Sequence, residues 1–331
     1  MESLKFKPYL KQTIWGGNRL SAFKQLVEDL PHVGESWEIS SMEGCESIVA
    51  NGPYEGQTLT EVIRKERDCL MGKAVYQRFG DRFPLLIKFI DAAQDLSIQV
   101  HPDETKCKML EGAQPKNEMW YVLDAQPGAY LYSGFNQELT PDRFQAMIHE
   151  GNIVEALVKY DVREGDTFYT PAGKIHAIGA GCLIAEIQQA SDTTYRVFDY
   201  NRRDAEGNKR ELHLQEASMC LDYRKDLNGR TEYQRTKNKG ANLVRCPWFD
   251  TLIYDLTEPF ILDYTALDCF VLLIGVKGSG TITDDEGHVL SIHTGETILV
   301  PATTKTLRTT GEMKFIACYL GNASCGINQV L

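Results

Sequence analysis

The sequence predicts a mainly β chain, built as two β-barrels of jelly-roll type with a few short helices. Three observations carry this. Short runs of alternating or apolar residues, bounded by glycine and proline, recur along most of the 331 residues. A glycine–five residues–proline spacing occurs twice, at Gly165–Pro171 and Gly295–Pro301, each time around a strand-like core. Everything after residue 241 is all-β in pattern.

Residues 1–54 hold short apolar pieces broken by Gly and Pro. Trp15-Gly16-Gly17 is a turn signal, and Gly34–Ser40 alternates like a strand. The two tryptophans read as core. Residues 57–80 read as helix, capped by Thr58 or Thr60, with Leu59, Val62, Ile63 and Leu70 on one stripe. Pro84–Ile90 is a buried strand containing Lys88, which needs water at a sheet edge, a carboxylate or a phosphate.

Ser97-Ile98-Gln99-Val100-His101-Pro102 reads as a strand ended by proline, with Ser97, Gln99 and His101 on one face. A charged loop over 103–116 leads to a strand at Asn117–Leu123, on which Glu118, Trp120 and Val122 share a face. If the two strands are near neighbours, an amide oxygen, an imidazole and a carboxylate converge. That set suits a borderline divalent metal such as zinc. Tyr130–Gly134 is a further strand. Residues 140–158 read as helix, with Thr140 as cap and Pro141 in the first turn, divided in two at Gly151.

Gly165-x5-Pro171-x-Gly173-x2-His176 is the second signature of the cupin β-barrels: a strand, a tight turn, then re-entry with the histidine directed inward. His176 would be the second imidazole of the metal site. Leu183–Gln189 is a strand with Glu186 and Gln188 on its polar face. The polar loop 191–194 delivers Arg196, either an anion-binding fork or one half of an ion pair with Asp192 or Asp199. Residues 211–223 form a short helix. Residues 224–240 are polar, without hydrophobic pattern, and read as a linker. The division is therefore a metal-binding catalytic domain over 1–223, a linker over 224–240, and a degenerate second barrel over 241–331. In the latter, Phe270–Val276 is a buried strand and Gly278–Gly280 a turn. Thr303 and Thr306 stand where the first copy has Gly173 and His176, so the second barrel has lost its metal ligands.

Composition excludes several classes. With 43% hydrophobic and 24% charged residues the chain is an ordinary globular protein, and no apolar run approaches the roughly 20 residues needed to span a bilayer. A net charge of −11 disfavours nucleic-acid and anionic-membrane partners, though not an anionic small substrate. Nine cysteines without a Cys-x-x-Cys pair point to reduced thiols and a cytoplasmic location.

These motifs resemble a known family. Leu96–Asp103, Lys116–Tyr121, Pro171–Ala177 and Glu186 through Ser191-Asp192 to Arg196, with Trp15-Gly16-Gly17 and Gly34–Trp37, are similar to the type I mannose-6-phosphate isomerases of the short bacterial kind, within the cupin superfamily. A general cupin has His-x-His and an asparagine four residues past the second-motif histidine; here Gln99 and Ala180 stand there, the first in keeping with the isomerases. The resemblance implies one zinc per chain held by Gln99, His101, Glu118 and His176, with Arg196 in the active site. It implies interconversion of mannose 6-phosphate and fructose 6-phosphate through an enediol. Glu186 is then the expected proton carrier or a partner behind it, and Ser97, Lys88 and Lys116 are candidates for the phosphate of a small sugar-phosphate substrate. Two other classes stay open: a metalloenzyme of different chemistry such as an iron oxygenase, and a sugar-binding protein without turnover. Residue patterns do not indicate the oligomeric state.

Overall fold

The computed structural model describes residues 1–26, 30–204 and 206–321. All strand pairings between named strands in it are antiparallel, in sheets of seven, five and nine strands. The seven-stranded sheet runs, edge to edge, Arg230–Thr231, Thr167–Thr170, Glu118–Ala125, Cys182–Gln189, Leu85–Asp91, Val33–Ile39 and Tyr9–Gly17. The five-stranded sheet runs Tyr195–Phe198, Ile98–Val100, His176–Ile178, Tyr130–Phe135 and Leu157–Asp161.

Side-chain alternation decides what each face does. On the seven-stranded sheet, Leu85, Ile87, Phe89, Met119, Tyr121, Ala185 and Ile187 point one way, into a core shared with Phe270, Leu272, Ile274 and Ile316 of the C-terminal sheet. Their neighbours Lys88, Glu118, Trp120, Glu186 and Gln188 point the other way and are just as buried. One face of the five-stranded sheet packs Ile98, Val100, Tyr132, Ile175 and Ala177 against the helices Pro141–Glu150 and Leu214–Cys220. Gln99, Ser133 and His176 take the opposite face. Each large apolar side chain so buried contributes about 1.5–3 kcal/mol; that fixes the face and leaves the polar residues facing each other across the interior.

Local signals explain most helices. Thr58 caps Leu59–Glu66 through a reciprocal capping box with Glu61. The expected 57–80 helix is three short ones, broken at Arg67 and Gly72, both at positive φ. Thr140 caps Pro141–Glu150 and Gly151 ends it in the left-handed conformation. The second helix expected after it is one 3-10 turn, Ile153–Ala156; Leu157 already starts an edge strand. Gly278–Gly280, expected as a turn, lies inside the long strand Val271–Asp284. A bulge between Gly275 and Lys277 and the positive φ of Gly278 bend that strand without ending its ladder.

The backbone pairing crosses the division drawn from sequence. Leu4–Lys7 pairs with Thr297–Val300 of the C-terminal sheet, and Arg230–Thr231, inside 224–240, pairs with Thr167–Phe168. Tyr233 also donates to the Gly165 carbonyl at 2.7 Å. Polar composition hid the second of these pairings, because an edge strand of two residues needs no apolar pattern. Among the described residues no helix is long and apolar enough to cross a membrane. Among the described residues the cysteines at 45, 69, 107, 182, 220, 246 and 318 are thiols outside any disulfide.

Candidate metal centre and active site

The strand with Gln99 and the strand with Glu118 lie in different sheets, so the convergence that nearness would allow is made across facing sheets rather than along one. Cross-strand register builds the site as rows. In the five-stranded sheet Ser133, His176, Gln99 and Arg196 stand opposite one another in succession. In the seven-stranded sheet one row is Thr170–Glu118–Gln188 and the next is Phe168–Trp120–Glu186–Lys88–Trp37. Directly paired residues share a face, so each row presents its side chains together.

Where these faces meet, one donor atom each from His101, Glu118 and His176 lies within 4.8 Å of the others, all three residues being buried. His101 Nδ1 lies 2.8 Å from the Thr193 carbonyl and His176 Nδ1 2.8 Å from the Lys174 carbonyl. A carbonyl only accepts, so both Nδ1 atoms carry the protons and both Nε2 lone pairs turn inward. They face each other at 3.1 Å, and Glu118 sits 3.4 Å from His101 Nε2 and 3.3 Å from His176 Nε2. Neither carboxylate oxygen accepts a directed hydrogen bond, although the Lys116 ammonium is 3.0 Å away. A buried set of acceptors with no proton between them is satisfied by a cation at its centre. Burial and the Lys116 charge press His101 down to about 3, and burial lowers His176. Burial alone would raise Glu118, but the Lys116 ammonium beside it holds it well below the carboxylate range. The ligands are thus in the ionisation states a metal requires.

Gln99 lies at the same centre, with its amide nitrogen 3.3 Å from His176 Nε2 and its oxygen 3.5 Å from Ser97 Oγ. The nitrogen, not the expected oxygen, faces the imidazole; half a turn of the terminal torsion exchanges them. The Pro171–Gly173 turn delivers His176 as its spacing predicts. Gly173 has φ +88° and donates its N–H to the His101 carbonyl at 2.9 Å, which ties the two histidine-bearing segments together.

Lys88 is in an interior strand, between Glu35 at 3.5 Å and Glu186 at 3.4 Å, with its ammonium 5.0 Å above the Trp37 ring. That answers the buried lysine: it faces carboxylates, not a sheet edge. The two carboxylates outweigh the burial that would lower it, and its pKa is raised. Burial, with Glu118 nearby, raises Glu186 above the ordinary carboxylate value. Glu35 is lowered, because Lys88 and Lys11 outweigh its own burial. Trp120 donates to Glu186 Oε2 at 2.9 Å and Trp37 to Glu35 Oε2 at 2.6 Å.

Arg196 makes neither expected ion pair. Asp199 is held by Arg202 and Arg210, while Arg196 donates to the Glu211 carbonyl at 2.7 Å and its buried Nε has no partner. Two guanidinium groups thus hold Asp199, and burial and the nearby Arg210 charge lower Arg196. Lys116 is paired with Glu118 at 3.0 Å rather than left as a lone cation. Sequence reasoning missed Glu35, Arg202 and Arg210. The first stood on the alternating strand Val33–Ile39, two residues before Trp37. The others lay in an arginine-rich run that Asp199 brings together only in space.

Fold and centre together define a metal-binding protein of facing antiparallel sheets, with a histidine–carboxylate site beside a buried lysine and carboxylates. Residues 3–127 match the catalytic domain of the type I phosphomannose isomerases. The mannose-6-phosphate isomerase ManA of Bacillus subtilis is 37% identical over 303 residues, covering 91% of this chain and 93% of ManA. The chain belongs to the mannose-6-phosphate isomerase family. A crystal structure of the Bacillus subtilis mannose 6-phosphate isomerase superposes with a TM-score of 0.86 at 29% identity, over 96% of this chain and 99% of that one. A mannose 6-phosphate isomerase solved with zinc and yttrium shares the fold at a TM-score of 0.75 and 15% identity, over 97% of this chain and all of that one.

Proposed function

We propose that this chain interconverts mannose 6-phosphate and fructose 6-phosphate, using one zinc ion bound by Gln99, His101, Glu118 and His176. The observation that carries the proposal is the buried acceptor cluster of His101, Glu118 and His176, within a chain of this family. Two imidazoles, one carboxylate and one amide form a mixed nitrogen and oxygen set that suits zinc, and the relative solved with zinc is consistent with that choice. When bound, zinc supplies Lewis acidity to the sugar oxygens on C1 and C2.

The protein does the rest. An aldose–ketose exchange moves a proton between C2 and C1 and needs a carboxylate that can hold it. Glu186, raised by burial, is that carboxylate, and Oε1, which faces Lys88, is the oxygen that exchanges the proton. Lys88 holds the charge balance between Glu186 and Glu35. Arg196, with Arg202 and Arg210, supplies the cationic wall for a phosphate dianion, and Ser97 beside Gln99 offers a hydroxyl on the same side. Lys116 steadies Glu118 and adds to the positive field. Residues 1–223 carry the chemistry, and 241–331, which has Thr303 and Thr306 at the ligand positions, serves packing. The free thiols fit a reducing cytoplasm.

The test is a coupled assay of fructose 6-phosphate formed from mannose 6-phosphate, run as prepared, after chelation, and after zinc add-back. Turnover lost on chelation and restored by zinc is expected. Full turnover after complete metal removal, or none in zinc-loaded protein, overturns the proposal.

A further inference from the structure

We propose that Trp120 is the positioning residue that sets the orientation of the Glu186 carboxylate in the active site. This rests on the isomerase reading above and adds to it a residue that the metal site and the charge pairs do not require.

The argument is geometric. Glu186 has two close polar partners. Lys88 Nζ is 3.4 Å from Oε1 and is shared with Glu35 at 3.5 Å. Those lengths give ionic attraction but lie beyond the 2.7–3.2 Å of a directed N–H···O bond. The Trp120 indole N–H meets Oε2 at 2.9 Å, well inside it. An indole N–H can only donate, so this bond has one polarity in every protonation state of Glu186. It occupies Oε2 and leaves Oε1 as the oxygen turned to Lys88.

The indole itself cannot swing away. Trp120 is 1% exposed and packs with Phe168, Ile90 and Ile184. Its ring stands edge-on to the His176 ring, with centroids 5.4 Å apart at 72°. In register it lies between Phe168 and Glu186, so the donor and its carboxylate are directly paired across neighbouring strands of one sheet. A tryptophan has only two side-chain torsions, and here both are blocked by packing. A flexible donor at the same place would let the carboxylate turn about its terminal torsion.

The test is a double-mutant cycle on the zinc-loaded full chain, with Trp120→Phe, Glu186→Gln and the double variant. Phenylalanine keeps an aromatic ring and removes the N–H, together with part of the indole volume. Thermal melting and zinc content by mass spectrometry establish that each variant is folded and loaded. The expected result is a kcat for mannose 6-phosphate lower by about 10–100-fold in Trp120→Phe, with KM within about twofold of wild type. In the Glu186→Gln background the same substitution should change kcat by less than about twofold, since nothing remains to be positioned. If phenylalanine fails to fold, site-specific benzothienylalanine at 120, which replaces the N–H by sulfur at constant shape, gives the same comparison. A folded, loaded variant with wild-type kcat, or one whose loss is equal in both backgrounds, overturns the inference. A wild-type protein without turnover overturns the isomerase reading instead.

Discussion

Replacing Glu118 by glutamine separates the metal from the rest of the site. The change preserves shape and removes the one formal negative charge among the four proposed ligands, the others being neutral imidazoles and an amide. A metal at free concentration 1,000 times its Kd stabilises the native state by about 4 kcal/mol. At about 2.1 cal/mol/K per residue the unfolding entropy of 331 residues is about 0.7 kcal/mol/K, so 1 kcal/mol corresponds to roughly 1.5 °C in Tm. Chelation should therefore lower the wild-type Tm by roughly 6 °C, while Glu118→Gln should melt at one temperature with or without chelator. It should also melt below chelated wild type. Lys116 is 3% exposed and lies 3.0 Å from Glu118, and removing one partner of such a buried pair costs about 3–5 kcal/mol. Adding Lys116→Met should recover part of that loss, because no unpaired buried charge then remains. Scanning calorimetry with metal content by mass spectrometry reads all three variants. A Glu118→Gln protein that still holds one equivalent of zinc and shifts on chelation as wild type does refutes the assignment of the centre.

Other outcomes follow from the same geometry. Glu186→Gln should lower kcat by about 10²–10⁴-fold with little change in KM; near-wild-type turnover removes Glu186 as proton carrier. Arg196→Met should raise KM for mannose 6-phosphate at least tenfold, since a charge-assisted contact is worth about 1.5–3 kcal/mol, and equal KM values in the two proteins count against a phosphate role. The metal-free protein should lose stability as pH falls. His101 is pressed from an ordinary 6.5 down to about 3 in the folded state, so below 6.5 the unfolded chain takes up the proton first. Its contribution is intact above pH 6.5 and is lost progressively toward pH 3, at up to about 1.4 kcal/mol per pH unit. Urea titrations of metal-free protein at pH 7, 6 and 5 read that slope, and His101→Gln should flatten it; an unchanged slope contradicts a neutral buried imidazole.

Much of this architecture was legible beforehand because two periodicities write it into the chain. Alternation at 97–101 and 117–123 assigned Gln99, His101 and Glu118 to polar faces. The Gly165-to-His176 spacing put a histidine just past a tight turn, where the strand His176–Ile178 begins. Caps at Thr58 and Thr140 began helices where side-chain hydroxyls could accept backbone N–H groups. The errors have physical causes too. Gly278 and Gly280 read as a turn because glycine permits positive φ, yet they bend one long strand whose pairing outweighs that freedom. The tail of 140–158 read as helix from its apolar spacing, but Leu157–Asp161 gained an edge in the sheet.

Residue order by itself determined which side chains share a face, since a strand's period of two is local and needs no partner. It also determined that His176 and Gln99 belong to inward-facing positions. Only the tertiary structure decided what those faces meet. It set the Gln99 and Glu118 strands in different sheets and closed two bare imidazole nitrogens on one carboxylate. It also hung Lys88 between Glu35 and Glu186, residues 151 positions apart in the chain. Pairing of strands distant in the chain, and contacts across facing sheets, depend on how whole sheets assemble, and no local pattern encodes them.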